Sequence, residues 1–582
     1  MITLADYAVI ALYFGFLIAA GVLFRKFLAN TSDYFRGGGK MLWWMAGSSA
    51  FMTQFSAWTF IGAASKAYDD GPLLLIIFLA NALGFFVNYL FLAPMLRQTR
   101  VVTALQAVRQ RLGKGNEQFY TWLQIPIGLI YASIWLNAVG KFFAQAFPAF
   151  DLTLTIIGIG LVVLTVSVVG GAWAVSATDF IQLTLLMLIT VVAAGYALGA
   201  VGGPIEMVEK LPHESWLGND VTLPLLAIFW ILTVVVKQLV STNSMTNANR
   251  YLNARDSSHA RKAALLASVL FLFGSVIWFI PPLAASILYP DIATEVTANV
   301  SNPSELAYVV IAQNLLPNGM IGLLIVGMFA ATMSSMDSGL NKNAGFFVVN
   351  FYQPVLRPKA TDKELFRAGV VTSLFMGLAI IGIALYLEVL SAQGEGLGLF
   401  EIMLNFGAMV AVPIAVPIIL CLFVKNTPDW SGWSCACVGL FVSLVMNKVF
   451  DAAWFEGFIG HDLSGREESD YAYVVSVIAN VSLATAWFFF TKLFYRGHKP
   501  ERQAELDLFW KNLHTPVLAA ETTSELDAPQ CRIIGWMASI FGGFMLLLAV
   551  IIPNAMSGRL AFVFCAAILL GIGGLLLRSA RR

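Results

Sequence analysis

Apolar residues of this chain fall into long blocks, and short polar or charged segments separate one block from the next. A helix that crosses a bilayer needs about 20 predominantly apolar residues. The chain is therefore predicted to be an all-α, polytopic membrane protein with about 15 transmembrane helices. The predicted spans are residues 4–24, 43–66, 72–96, 118–146, 151–170, 176–200, 223–246, 261–288, 317–350, 366–390, 398–424, 429–450, 470–494, 532–552 and 558–578.

The second block contains a cluster of polar residues. Its sequence from Phe51 to Ser65, FMTQFSAWTFIGAAS, places Gln54, Ser56 and Thr59 inside a span. Lipid disfavours such groups unless they face protein, water or a ligand. We therefore predict a helix whose backbone opens within the membrane to hold a ligand, as in a protein that moves a solute.

The basic residues predict how the spans are oriented. With the N-terminus outside, most of the 35 Lys and Arg residues fall in the loops and the terminus on the inner side, as the positive-inside rule requires. Arg25 and Lys26 follow the first block, so this block is predicted to be a retained anchor rather than a cleaved signal peptide. The prediction is a multi-pass plasma-membrane protein of the bacterial inner-membrane type, with a cytoplasmic C-terminus.

Composition supports this class and argues against others. The 582-residue chain is 58% hydrophobic and 12% charged, whereas soluble domains carry about 25% charged residues. A net charge of +1 gives no global field that would attract nucleic acid. The 5 cysteines form no CxxC pair and the 5 histidines form no metal or catalytic motif. We predict neither an enzyme nor a nucleic-acid-binding protein, but a carrier in the lipid bilayer that functions as a monomer.

A second polar cluster, AATMSSMDSGLNKN, lies inside a block that is longer than one span needs. Helical spacing places Ser334 on two overlapping faces, one with Ala331 and Ser335 and one with Asp337 and Ser338. Hydroxyl and carboxylate oxygens suit a hard cation. Close helix packing is the alternative role for the serines, but a carboxylate at membrane depth favours function.

Four further polar features lie at membrane depth. Asp179 needs a cation or a buried donor to justify its charge, unless it lies hydrated among the inner headgroups. Lys237, in the run ILTVVVKQLV, would meet either a solute carboxylate or a structural acid. Glu401 lies near the outer start of its span and is a further candidate. The polar run 241–249 forms either a loop or a wall of the solute path.

Motifs in several blocks, taken together, resemble one family. They are Asp33-Tyr34-Phe35-Arg36-Gly37-Gly38-Gly39-Lys40, Trp43-Trp44, Gln54-Phe55-Ser56-Ala57, Phe60-Ile61-Gly62, Thr103, Thr178-Asp179-Phe180-Ile181-Gln182, Asn249-Arg250-Tyr251-Leu252 and Ala331 to Ser338. This pattern is similar to that of the sodium:solute symporters, which include glucose/galactose, proline, pantothenate and sialic acid carriers. The resemblance covers about residues 1–495 and is much less specific to a substrate than to the family.

The resemblance implies the leucine-transporter fold, in which two units of five helices are inverted relative to each other. The first helix of each unit would be broken near the midplane, where exposed carbonyls bind cation. The predicted segments are an N-terminal extra helix and inner loop (1–42), the first repeat (43–200), the second repeat (223–424), two further helices (425–494), a cytoplasmic linker (495–531) and a C-terminal helix hairpin (532–582).

The resemblance also implies cation sites. The main sodium site would use the carbonyls of Met52, Phe55 and Ala331 and the hydroxyls of Ser334 and Ser335. Some members of the family have a second sodium site. Its residues here would be Asp179, Ser334, Asp337 and Ser338, with Asp337 standing where such members have a serine.

The sugar-binding pattern of the galactose carriers does not carry over. Trp58 and Thr59 replace an acid–amide pair, and Phe78, Asn81 and Leu404 replace a glutamate, a serine and a glutamine. Galactose itself is therefore a poor candidate substrate. The residues predicted to contact the solute are Trp58, Thr59, Asn81, Lys237, Ser244, Glu401 and, as an aromatic cap on the outer side, Phe400.

We therefore expect a sodium-coupled secondary active symporter, with Na+ as the coupling ion, that imports a small solute by alternating access. A sugar or a sugar acid is favoured. A proton-coupled carrier, with Asp179 or Asp337 as the titrating group, is one alternative. A sodium-coupled carrier of an amino acid, a vitamin or another monocarboxylate is the other. A sensor, a channel or an enzyme would need a signalling domain, a filter loop or a catalytic constellation that the sequence does not show.

Overall fold

The structure is a computed structural model that describes residues 3–24, 39–147, 150–211, 216–217, 221–296, 300, 302–392, 398–518, 521 and 527–581. Residues 25–38, which hold the first part of the family-like motif and the basic pair after the first block, lie outside this description. Residues 522–526 of the predicted linker, which include Glu525, lie outside it as well.

Helices dominate the described chain. From the N-terminus to the middle of the chain they are α1 (Leu4–Phe24), α2 (Trp43–Thr53), α3 (Gly62–Asp70), α4 (Leu75–Val87), α5 (Ala93–Gln98), α6 (Ala104–Leu112), α7 (Lys114–Ala146), α8 (Leu152–Val201), α9 (Pro204–Lys210), α10 (Pro224–Asn243) and α11 (Ser257–Leu288). They continue as α12 (Ala307–Leu315), α13 (Met320–Phe347), α14 (Asp362–Ala392), α15 (Leu399–Phe406), α16 (Val412–Leu420), α17 (Ser431–Val449), α18 (Ala452–Ile459), α19 (Gly465–Phe490), α20 (Pro500–Leu513), α21 (Asp527–Ile551) and α22 (Met556–Ser579).

Shorter helical turns connect or extend these elements. The 3-10 turns are Ala57–Thr59, Gly71–Leu74, Ala248–Asn253, Ile292–Thr294, Pro303–Leu306 and Thr491–Phe494, and the π-helical turns are Asn88–Leu92, Val348–Leu356 and Gly407–Ala411. Local sequence explains several helix starts: the Thr103 hydroxyl accepts from the Gln106 N–H to cap α6, and proline occupies the first turn of α10, where its missing N–H costs nothing.

Eleven helical segments of the described chain are long and apolar enough to cross a membrane, judged by length and composition. Three shorter apolar helices lie at Leu4–Ala19, Leu152–Thr165 and Ser431–Met446. Each predicted span contains helical residues at the expected place. The prediction of an all-helical, polytopic membrane protein is confirmed.

One helix, α8, covers two predicted spans. The sequence predicts separate helices at 151–170 and 176–200, whereas helical backbone runs continuously over Leu152–Val201. At 1.5 Å per residue, a straight helix of 50 residues would measure about 75 Å. That length is more than twice the hydrocarbon thickness of a bilayer.

Packing shows how the two parts of α8 are placed. Gly140 of α7 faces Ile156, and Gly327 of α13 faces Ile189. These two glycines lie near the same end of α7 and α13, which run antiparallel. The two parts of α8 therefore pack as two spans, and the backbone that joins them is helical.

The second and the seventh predicted spans are each interrupted. Helix α2 ends at Thr53, and Ser56 is fully extended, with φ −146° and ψ 176°, before the chain turns helical again. Helix α10 ends at Asn243, and Ser244 is extended, with φ −64° and ψ 134°. The predicted opening within Phe51–Ser65 is confirmed, and a matching break lies in the polar run 241–249.

The predicted linker contains helix α20 and packs against the start of α11 and the loop before it. The backbone of Val517 and that of Ser257 are joined by a 3.2 Å hydrogen bond, and the Ser257 hydroxyl accepts from the Val517 N–H at 2.9 Å. Arg255 pairs with Asp527 at 2.6 Å. The sequence shows the polarity of this segment, but these contacts depend on which loops the fold brings beneath it.

Candidate functional site

A cavity lies between the two broken helices. It has an empty volume of about 1350 Å³, a figure that includes open solvent at its mouth. Gln54, Ser56 and Trp58 line it from the first broken helix, and Ser241 and Ser244 line it from the second. The polar residues that lipid would not tolerate therefore face a common internal space.

Oxygen atoms of the first broken helix meet helix α13 beside this cavity. The Ser335 hydroxyl lies 2.9 Å from the Met52 carbonyl oxygen and 2.8 Å from the Phe55 carbonyl oxygen. All three residues are buried. Two carbonyl oxygens and a hydroxyl converging at a helix break form a donor set that fits a hard cation such as sodium.

The other two residues of the predicted main site are placed differently. Ala331 is fully buried one turn before Ser335. The Ser334 hydroxyl points to Asp179 and donates to its Oδ1 atom at 2.5 Å. Ser334 thus joins the acidic group described next, not the three oxygens around Ser335.

The predicted second cation group forms a buried charged cluster. Asp179 and Asp337 both lie close enough to Arg250 to interact electrostatically with it. Arg250 donates a short hydrogen bond to Ser338, and Ser167 hydrogen-bonds Asp337. The guanidinium supplies a positive charge in the same cluster that the prediction assigned to a second sodium ion.

Aromatic rings close the cavity on the side of α15. The indole of Trp58 stacks on Phe400, with ring centroids 5.8 Å apart and an interplanar angle of 11°. It also stacks on Phe78 at 6.4 Å. The indole N–H donates to the Leu399 carbonyl oxygen at 3.0 Å. Trp58 is only 8% exposed, so this stack closes the cavity toward α15.

A buried ion pair supports that closure. Lys141 of α7 lies 2.7 Å from Glu305, and both side chains are almost fully buried. The other carboxylate oxygen of Glu305 accepts from the Leu399 N–H at 3.0 Å. A chain of contacts therefore runs from Lys141 through Glu305 and Leu399 to Trp58.

The structure brings four of the predicted solute residues to the cavity: Trp58, Asn81, Lys237 and Ser244. Asn81 accepts from the Thr242 hydroxyl at 3.2 Å, and Ser244 lies 3.0 Å from the Thr246 hydroxyl. The other three residues do not line the cavity. Thr59 is buried in the 3-10 turn, Phe400 lies behind Trp58, and Glu401 faces Lys66 at 3.8 Å.

Several lining residues were missed by the sequence reasoning. Tyr131 and Trp135 of α7, Gln238 of α10 and Lys342 of α13 all face the cavity. Tyr131 and Trp135 are four residues apart and so share one helical face, a pattern from which an aromatic wall could have been predicted. Lys342 lies in the second polar cluster, but no local pattern tells a cavity-facing lysine from one that reaches the lipid headgroups.

Comparison with known proteins places these features in a family. The model of the sodium:solute symporter family matches residues 34–430. Sodium/myo-inositol cotransporter 2 of Bos taurus is 27% identical over 572 residues, which cover 90% of this chain and 81% of that relative. Sodium/glucose cotransporter 2 of Rattus norvegicus is 27% identical over 482 residues, which cover 76% of this chain and 71% of that relative.

Solved structures show the fold. A Na+-coupled sialic acid symporter, in a substrate-bound outward-open state, is similar with a TM-score of 0.64 and 22% identity over 83% of this chain and 98% of that one. The nucleobase-cation-symport-1 family transporter Mhp1, in a closed conformation, is similar with a TM-score of 0.52 and 15% identity over 82% of this chain and 99% of that one. The fold is of the leucine-transporter type, an inverted-repeat core of five plus five helices with flanking helices.

The family match spans more than half of the chain and includes both broken helices and the serines of α13. The expected fold class and the expected use of Na+ are confirmed. This chain belongs to the sodium:solute symporter family, and sodium is its coupling ion.

Proposed function

We propose that this chain imports a small hydroxylated solute, a sugar or a sugar acid, with sodium down the sodium gradient. The N-terminus lies outside and the C-terminus lies in the cytoplasm. The observation that carries the proposal is the convergence of the Met52 and Phe55 carbonyls on the Ser335 hydroxyl, beside a polar cavity. The sodium site and the solute space thus share one broken helix.

This shared helix gives a physical route for coupling. Sodium, when bound, would add a positive charge that the Met52 and Phe55 carbonyls and the Ser335 hydroxyl stabilise. These groups connect the first broken helix to α13, so holding them together favours one arrangement of the two elements over another. An ion that binds one conformation better than another shifts the population toward it.

The closed aromatic stack supports alternating access. In this conformation Trp58, Phe78 and Phe400 block the outer side. The cavity extends along the inner half of α13, where Ser338 and Lys342 line it. Opening the outer side requires the Trp58 indole to leave both the Phe400 ring and the Leu399 carbonyl.

The experiment is uptake into proteoliposomes that contain the purified full chain. Radiolabelled glucose, myo-inositol and glucuronate are offered with an inward sodium gradient, or with choline in place of sodium. We expect sodium to raise the uptake of at least one of these solutes at least tenfold. Equal uptake with sodium and choline for every solute that enters would contradict the proposal.

A pair of serine variants tests the assigned oxygen group. Ser335→Ala removes the hydroxyl that joins the two carbonyls, and we expect it to reduce sodium-driven uptake to the choline level. Ser275→Ala is the matched control, because Ser275 is also buried but donates to Leu272 of its own helix at 3.2 Å. If both variants kept normal sodium-driven uptake, the oxygen group would not be the coupling site.

A further inference from the structure

Some of the basic residues near the cavity have an acidic partner, and others do not. Lys141 is paired with Glu305 at 2.7 Å, and Lys66 is paired with Asp70 at 2.7 Å. Arg250 interacts with two carboxylates. These three cations therefore have acidic partners, as membrane-depth charges normally do.

Two lysines that line the cavity differ from this pattern. Among the described residues, no carboxylate lies within 4.0 Å of Lys237 or Lys342. Lys237 donates one hydrogen bond, to Gln238 at 3.1 Å. An ammonium group at membrane depth is costly unless an opposite charge or polar groups compensate it. A transported anion is a partner that would compensate it.

The surroundings of Lys237 fit such a partner. A Cβ built on Gly407 would lie 3.0 Å from the Lys237 Cε atom and 3.5 Å from the Tyr131 hydroxyl. The ammonium stem, a phenol and bare glycine backbone thus meet at the cavity wall. Because Gly407 has no side chain, the Lys237 stem can pack against its backbone, and the ammonium group and the Tyr131 hydroxyl both line the cavity as hydrogen-bond donors.

The rest of the described lining mixes polar and apolar side chains and contains no acid. Amides and hydroxyls are supplied by Gln54, Asn81, Gln124, Gln238 and Ser241, and none of the lining residues is Asp or Glu. Aromatic faces are supplied by Trp58, Phe78 and Trp135. This lining suits a solute with hydroxyl groups and one carboxylate, and it offers no anionic group for a cationic solute.

We infer that the solute is a small hydroxylated organic anion whose carboxylate pairs with Lys237 and which passes Lys342 on its way to the inner side. This inference rests on the proposed function and narrows it from sugar or sugar acid to the anionic class. It also changes the expected energetics. Moving one elementary charge through 100 mV is worth about a fiftyfold concentration ratio of the solute across the membrane. A monoanion carries a negative charge inward with the sodium ion, so its accumulation is smaller by one such factor than that of a neutral sugar.

The test compares solutes that differ in charge. Wild-type proteoliposomes are given glucuronate against glucose, and gluconate against sorbitol, each with sodium or choline outside. We expect sodium-driven uptake of a carboxylate, with its neutral counterpart competing at least tenfold more weakly. Preference for the neutral members would overturn this inference and leave the proposed function standing. No sodium-driven uptake of any of the four would overturn both.

Variants of Lys237 test whether its ammonium group is the one that pairs with the solute carboxylate. Lys237→Gln is expected to raise the half-saturating concentration of the carboxylate at least tenfold, whereas Lys237→Arg retains the cation and most of the affinity. Lys262→Gln is the control, because Lys262 is exposed at the start of α11. Sodium-dependent thermal stabilisation of each variant shows that it is folded. An unchanged carboxylate preference in folded Lys237→Gln would refute the pairing.

Discussion

The ion pair between Lys141 and Glu305 offers a sharp test of how the cavity is closed at the Trp58 stack. The Lys141 Nζ atom lies 2.7 Å from Glu305, with side-chain exposures of 4% and 1%. Lys141→Met leaves a buried carboxylate, and Glu305→Gln leaves a buried ammonium. Removing one partner of a buried pair typically costs about 3–5 kcal/mol. The double variant leaves neither charge, and its glutamine still accepts from the Leu399 N–H.

The expected shift in thermal midpoint follows from the size of the chain. Unfolding entropy of about 2.1 cal/mol/K per residue, applied to 582 residues, gives a shift of about 0.8 °C per kcal/mol. Each single variant should therefore lower the midpoint by about 2–4 °C, and the double variant should lower it by less than either. The assay is thermal unfolding of purified protein in detergent. Losses that simply add in the double variant would refute the reasoning, because two independent sites would behave that way.

The remaining predictions concern other contacts. Trp58→Phe keeps the aromatic stack but loses the hydrogen bond to Leu399, which is worth about 1 kcal/mol. In this variant, a cysteine introduced at Phe78 should react about fivefold faster with an impermeant maleimide added from outside. An unchanged reaction rate would count against closure of the cavity by Trp58. Asn480→Leu leaves the Ala408 carbonyl and the Ser443 hydroxyl without their donor, so the thermal midpoint should fall by about 1–2 °C; an unchanged midpoint would contradict this. Arg250→Ala leaves two buried carboxylates without a cation, so we expect no folded protein in size-exclusion chromatography. Adding Asp337→Asn removes one of these carboxylates and should recover part of the folded yield. If the double variant recovered none, the charges would not be balanced against each other.

Much of the fold could be predicted from the sequence because the bilayer imposes it. Apolar length fixed the spans, and basic residues suggested the sides of the loops. The opening of the first core helix could be predicted because Gln54 and Ser56 have no place in lipid. The helical backbone that joins the two spans of α8 could not be predicted, since Val175 and its neighbours read as the start of a separate helix.

The site could be predicted only in part. The three oxygens around Ser335 follow from serines at helical spacing together with the family resemblance. The resemblance placed Ser334 in both predicted cation groups, and in the structure its hydroxyl donates to Asp179 of the second group. That choice depends on how α8 packs against α13, which no local spacing contains. The partner of Lys141 was equally hidden, because Glu305 lies 164 residues away along the chain.

Sodium-dependent thermal stabilisation tests the central claim most directly. A ligand that binds only the folded state at 100 times its dissociation constant stabilises it by about 2.7 kcal/mol, or about 2 °C for this chain. We predict that replacing choline with sodium raises the midpoint of the wild type by this amount and leaves the midpoint of Ser335→Ala unchanged. An equal rise in both proteins would contradict the assignment of the coupling ion to the Met52, Phe55 and Ser335 oxygens.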